Sequence, residues 1–141
     1  MNESETIRRI LKESKTIAVV GLSDKPDRDS YKVAKYLKQN GYQIIPINPN
    51  LSEWEGEKAY ASLKDIPSGI RIDVVDIFRR SEFVLGIVDD AIQVRAKAVW
   101  MQLEVVNEEA ARKAEAAGLL VVMDRCMKIE HSRMIDSHLF I

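Results

Sequence analysis

The sequence has a single cysteine, Cys126, among 141 residues. An internal disulfide and a thiolate metal cluster are therefore excluded, and a reducing, cytoplasmic compartment is the expectation. An excess of charge of one sign is also missing, since 21 basic residues face 22 acidic ones for a formal net charge of -1. Without a sequence-wide basic footprint there is no reason to expect a nucleic-acid partner. Apolar runs are short, as Gly118 to Met123 illustrates, and fall far below the roughly 18 residues of a membrane span. The stretch from Met1 to Lys15 is charged throughout and lacks the apolar centre of a signal peptide. Linkers, repeats and low-complexity tracts are absent too. A chain of this length that is 46% hydrophobic reads as one domain over 1–141 with a proper core.

What is present is a regular alternation. Ile7, Ile10 and Leu11 stand at helical spacing within Glu3 to Ser14, which predicts a helix with one face on the body. Thr16 to Gly21 is a short β-branched run ending in glycine, apolar on both sides as a buried parallel strand requires. After the polar loop Leu22 to Asp29, Val33, Ala34 and Leu37 share one face of a helix over Ser30 to Asn40, closed by Gly41. Tyr42 to Ile47 is a second strand, and the unit has the size of a right-handed βαβ crossover. The pattern repeats. Strands are predicted at Ile72 to Phe78, Ala98 to Met101 and Leu119 to Met123. A helix over Ser81 to Arg95, started by Ser81, turns Val84, Ile87, Ala91 and Val94 inward; Asn107 caps another that ends at Gly118; Cys126 to His138 closes the chain. The fold class is α/β, a Rossmann-like, doubly wound parallel sheet of about five strands in three layers. Ligands of such sheets bind beyond the carboxyl ends of the strands.

The strand ends are therefore where chemistry is sought. After the first strand, Gly21 allows a tight turn and the following loop can aim N–H groups at a phosphate, with Lys25, Arg28 and Lys32 to add charge. An ordinary turn with solvated lysines reads equally well. The dinucleotide pattern G-x-G-x-x-G is missing, because Ser23 and Pro26 stand where its second and third glycines belong. No acid follows the second strand to take a ribose diol; Asn48 and Pro49 do. After the third strand, Arg79 or Arg80 could hold a phosphate bidentately, or simply be solvated. Asp124 and Arg125 are placed to pair with each other, and Asp89-Asp90 reads as a solvated helix face. Trp100 reads as core. Cys126 has no convincing base: neither His131 nor His138 comes with an acid partner, and no carboxylate pair, metal cluster or nucleophile elbow appears. No catalytic and no metal-binding residue is expected.

The strings Gly21-Leu22-Ser23-x-x-Pro26, Ser30-Tyr31-x-Val33-Ala34-x-Tyr36-Leu37 and Gly41-Tyr42-x-Ile44-Ile45-Pro46-Ile47-Asn48-Pro49 resemble the stand-alone CoA-binding domain proteins, the YccU-like family. So do Val99 to Leu103 and Val121 to His131. That family is similar in turn to the CoA-binding domain of the succinyl-CoA synthetase α subunit, a Rossmann-like fold. The resemblance implies that Gly21, Leu22 and Ser23 lie under the nucleotide phosphates of coenzyme A, with Lys25, Ser30 and Lys32 near the phosphate-bearing end. It implies that Ile47, Asn48 and Pro49 flank the ligand. Ile77, Phe78 and Arg79 would cover it, with Val84 behind, and Trp100, Met101 and Gln102 would line the far side. Glu104 stands where the family usually has glycine.

The expected function is non-catalytic binding of CoA or an acyl-CoA, with an acyl-CoA-using enzyme as a possible partner and no nucleic-acid or membrane partner. A 3′-phosphorylated ribose would be repelled by an acid at the second strand end, and none is there. The alternatives are a small NAD(P)-binding oxidoreductase, which the missing glycines disfavour, and one component of a two-chain acyl-CoA ligase. A third is a mixed disulfide between Cys126 and the thiol of CoA.

Overall fold

The computed structural model describes residues 1–139, with side chains through residue 137. Helix α1, Glu3–Glu13, starts where Asn2 accepts a hydrogen bond from the Glu5 N–H at 2.9 Å, and it buries Ile7, Ile10 and Leu11. The chain then enters β1, Thr16–Val20, in which every residue is buried. Helix α2, Asp29–Gln39, follows, and Gly41 at φ 94° turns the backbone into β2, Gln43–Ile47. Pro46 is tolerated in β2 because that strand is the sheet's edge, where a missing N–H breaks no second ladder.

A segment without a sequence-level assignment comes next. Strands β3, Glu53–Trp54, and β4, Glu57–Lys58, form an antiparallel hairpin. Its turn residues Glu55 and Gly56 both have positive φ, 49° and 80°, the condition for a type I′ turn. Trp54 anchors the hairpin, buried edge-on against Tyr31. Then come β5, Val74–Ile77, α3, Val84–Gln93, β6, Ala98–Met101, α4, Glu108–Ala116, β7, Leu120–Val122, and α5, Met127–Leu139.

The main sheet is parallel throughout, in the order β2-β1-β5-β6-β7. Counting only its own strands this is 2-1-3-4-5, a doubly wound order whose direction reverses between β1 and β5. Alternate side chains feed two cores. One, with Val75, Ile77, Val88 and Val99, lies under α3 and α4; the other, with Val19, Val74, Trp100 and Met127, lies under α1, α2 and α5. The α/β architecture with five parallel strands and helices on both faces is as expected.

Some local expectations shift. Ser81 does not start α3; it belongs to a 3-10 turn, Ser81–Phe83, and α3 begins at Val84. The Ser81 hydroxyl instead accepts from the Val106 N–H at 2.9 Å, tying the chain after β5 to the chain after β6. On α3 the fully buried stripe is Val84, Val88 and Ala91, with Ile87 and Val94 only half-buried beside it. Asn107 caps α4 as expected, accepting from the Ala110 N–H at 2.9 Å. Among the described residues no helix is long and apolar enough to cross a membrane.

Candidate functional site

The reversal of strand order opens the sheet between the carboxyl ends of β1 and β5, and Gly21 fills that point. Its N–H donates to the Ile47 carbonyl at 2.9 Å, and its φ is 87°. A Cβ there would lie 2.4 Å from the Phe78 carbonyl oxygen. Glycine is thus demanded twice, by the left-handed backbone and by the close approach of the next strand.

Two cavities flank this crossing. One of about 370 Å³ is walled by Gly21, Ile47, Asn48, Pro49, Asn50 and Ala61, with Arg79 on its border. The other, of about 540 Å³, is lined by Asp29, Lys32 and Val33 of α2, by Phe78 and Arg79, by Gln102 to Val105, and by Cys126, Lys128 and Ile129. Arg79 borders both, and its guanidinium stacks 4.6 Å from the centre of the Phe83 ring.

Helix α2 starts at this site without a side-chain cap. Arg28 in the N-cap position makes no side-chain hydrogen bond, in contrast to Asn2 on α1 and Asn107 on α4. Its first-turn N–H groups thus lack a capping side chain, the carboxylate of Asp29 in that turn lies toward the positive end of the dipole, and Lys32 sits on the next turn. The loop before α2 spends some donors internally. The Ser23 N–H goes to the Ser30 hydroxyl at 3.0 Å, and the Lys25 N–H to the Ser23 hydroxyl at 3.1 Å. Asn48 is also engaged: its amide nitrogen donates to the Leu22 carbonyl at 2.9 Å and its oxygen accepts from the Asn50 N–H at 2.8 Å.

Of the residues singled out from sequence, Lys32, Phe78, Arg79 and Gln102 line the larger cavity, and Gly21, Ile47, Asn48, Pro49 and again Arg79 the smaller. Leu22, Ile77, Val84, Trp100 and Met101 have no exposed surface. Their side chains shape the walls from behind instead of meeting a ligand, and the Trp100 indole N–H donates inward, to the Arg125 carbonyl at 2.8 Å. Ser23, Lys25 and Ser30 build the loop rather than either cavity wall. Asp124 and Arg125 do not pair. Asp124 accepts from the Glu104 N–H at 2.7 Å, and Arg125 pairs with Glu3 of α1. Glu104 keeps the left-handed backbone of a glycine, at φ 68°. Its side chain lines the larger cavity.

Sequence reasoning missed the wall contributed by Leu103, Val105, Lys128 and Ile129, although the carboxyl-end rule covers the loops that hold them. It also missed Asp76. This carboxylic acid sits in the middle of β5 with no exposed surface, in register with Val19 and Trp100. Gln102 Nε2 donates to its Oδ1 at 2.5 Å, while Oδ2 has no partner. Burial pushes the acid up to about 7, opposed by the Gln102 hydrogen bond. The half-buried Cys126 thiol faces the larger cavity. His131 is not its base: it turns to the Tyr36 hydroxyl at 2.8 Å, and burial lowers its pKa. The side chain of His138 lies outside the described residues. Among the described residues no group of three or more His, Cys, Asp or Glu side chains is placed to hold a metal ion.

Three relatives bear on this site. YneT of Bacillus subtilis (strain 168), an uncharacterized protein, is 46% identical over 126 residues, which cover 89% of this chain and 92% of YneT. A hypothetical protein from Pyrococcus horikoshii OT3 superposes with a TM-score of 0.89 at 45% identity, covering 94% of this chain and 92% of that one. The dinucleotide-forming acetyl-coenzyme A synthetase 1 of Ca. Korarchaeum cryptofilum superposes with a TM-score of 0.69 at 29% identity. There 82% of this chain matches only 27% of the synthetase, so the likeness is to one part of a larger enzyme. The family model described as CoA binding domain matches residues 15–132, which contain the whole parallel sheet and both cavities. The chain belongs to the CoA-binding domain family.

Proposed function

We propose that this protein binds coenzyme A, free or acylated, without transforming it. The observation that carries this reading is the pairing of an uncapped helix start with Arg79 at a junction of two cavities. A ligand with a pyrophosphate in its middle and two dissimilar arms fits that layout. The pyrophosphate lies over Gly21 and the α2 terminus, between Lys32 and Arg79. The adenosine lies toward Asn48 and Pro49, and the pantetheine arm runs along Phe78 toward Gln102. Asn48 in place of an acid leaves room for a 3′-phosphate and disfavours a nicotinamide dinucleotide. The likeness to one part of a synthetase supports an acyl-CoA-using enzyme as a partner.

Calorimetric titration tests the reading, with CoA, 3′-dephospho-CoA and NAD as ligands. CoA is expected to bind tightest and dephospho-CoA more weakly, for loss of one charged contact. Preference for NAD would overturn the proposal and make a dinucleotide enzyme the better account.

A further inference from the structure

A buried carboxyl oxygen with no partner is uncommon, because an unsatisfied buried acceptor costs free energy that an apolar side chain would not. Asp76 has such an oxygen, and its other oxygen holds one group only, the side-chain amide of Gln102. Gln102 lies where the sheet meets the larger cavity. It lines that cavity while remaining almost wholly buried, 4% exposed. Its backbone is equally constrained: its N–H donates to the Ile77 carbonyl at 3.3 Å and its carbonyl accepts from the Val105 N–H at 2.9 Å. A glutamine amide in this place could present either its nitrogen or its oxygen to the cavity, and the two choices recognise opposite ligand groups.

We infer that Asp76 is a positioning residue that decides this choice: it holds the Gln102 nitrogen inward, so that the amide oxygen faces the cavity and accepts a hydrogen bond from an N–H or O–H of the ligand. The chemistry follows from the contact atom. Oδ1 accepts whether Asp76 is ionised or carries a proton on the unpartnered Oδ2, so in either state it requires the nitrogen of Gln102. The inference rests on the reading of the site as one for CoA, and it adds which ligand group is selected there. The secondary amides of the pantetheine arm each offer an N–H, whereas on that reading the nucleotide half occupies the smaller cavity, which Gln102 does not line.

The test compares CoA with adenosine 3′,5′-bisphosphate, which carries the nucleotide half without the pantetheine arm. Binding of both is measured by calorimetry to the wild-type protein and to Asp76→Leu, Asp76→Asn and Gln102→Leu. Asp76→Leu is expected to weaken CoA by roughly three- to tenfold, the worth of one hydrogen bond. It is expected to leave the bisphosphate unchanged. Asp76→Asn keeps the shape but can turn either its oxygen or its amide nitrogen to Gln102, so it is expected to bind CoA with an affinity between those of the wild type and Asp76→Leu, whereas a purely structural role predicts wild-type affinity. Gln102→Leu gives the same split without touching Asp76, and so decides the matter if Asp76→Leu does not fold. Undiminished CoA binding in either leucine variant overturns the inference, as does an equal loss of both ligands. Those results leave the CoA reading standing. Failure of the wild-type protein to bind CoA overturns that reading and the inference with it.

Discussion

Two aspartates three residues apart, one just before β5 and one inside it, are treated oppositely by the chain. Asp73, just before the strand, accepts from the N–H groups of Lys15 and Thr16 at 2.8 and 3.0 Å and pairs with Arg71 at 3.5 Å. It staples the start of β5 to the start of β1. Asp76, inside the strand, has one neighbouring amide and an empty-handed oxygen. The ends of the sheet follow suit. A cavity of about 460 Å³ opens at the amino end, bordered by Arg9, Glu13, Asp73 and Arg95, and it is comparable in size to those at the carboxyl end. Its acids have partners already, Glu13 in an ion pair with Arg9. Toward the carboxyl end a helix start lacks a side-chain cap and one carboxyl oxygen of Asp76 lacks a partner. Volume does not distinguish a site from a crevice; polar groups left over after folding do.

The contrast is sharpened most by titration. Asp76 binds a proton more tightly in the folded protein, at about 7, than at its ordinary value of 3.8. Its protonated form is favoured by the fold, so its contribution is fully present below about 3.8, declines across the window to about 7 and then levels off. Relative to Asp76→Asn, the wild-type protein is therefore expected to lose on the order of a few kcal/mol between pH 4 and pH 8, read by urea denaturation. An equal pH profile for the two proteins would remove Asp76 from the comparison.

Glycine substitutions come next in size. Gly21→Ala is expected to cost about 3 kcal/mol or more, since its Cβ meets the Phe78 carbonyl and its φ is positive. Gly118→Ala, at the amino end, has an equally positive φ of 90° and no atom within 4 Å, so only the backbone cost of about 1–2 kcal/mol remains. Equal losses in the two would mean that the sheet relaxes around Gly21. Charge reversal then tests the cavities. Lys32→Glu is expected to weaken CoA binding by more than about tenfold, or about 1.4 kcal/mol, while Arg95→Glu leaves it unchanged. The smallest effect belongs to Glu104→Gly. Glycine relieves a left-handed backbone at φ 68° and is expected to raise stability by up to about 1 kcal/mol in thermal melts.

Much of this was legible in the sequence. Short β-branched runs such as Thr16–Val20, closed by glycine and too short for an ordinary helix, marked buried strands, and the glycines after α2 and α4 marked where those helices stop. The carboxyl-end rule led to Gly21, Asn48 and Arg79 before any distance was known. The hairpin at 53–58 was not legible, because strands of two residues carry no periodicity; its support comes from Trp54 packing on Tyr31, a contact 23 positions away. Nor could sequence separate Met101, wholly buried, from its neighbour Gln102 on the cavity wall. Alternation along a strand tells which side chains share a face, and both faces of this sheet are covered.

Local patterning thus determined the strands of the parallel sheet, its helices, their order and the sheet edge that carries Gly21, since these depend on spacing and on residues adjacent in the chain. Tertiary structure alone decided which side chains reach a cavity, that the approach of β5 leaves room only for glycine at position 21, and that Asp76 and Gln102 meet. Those outcomes depend on distances between strands that are far apart in sequence, and no local pattern encodes them.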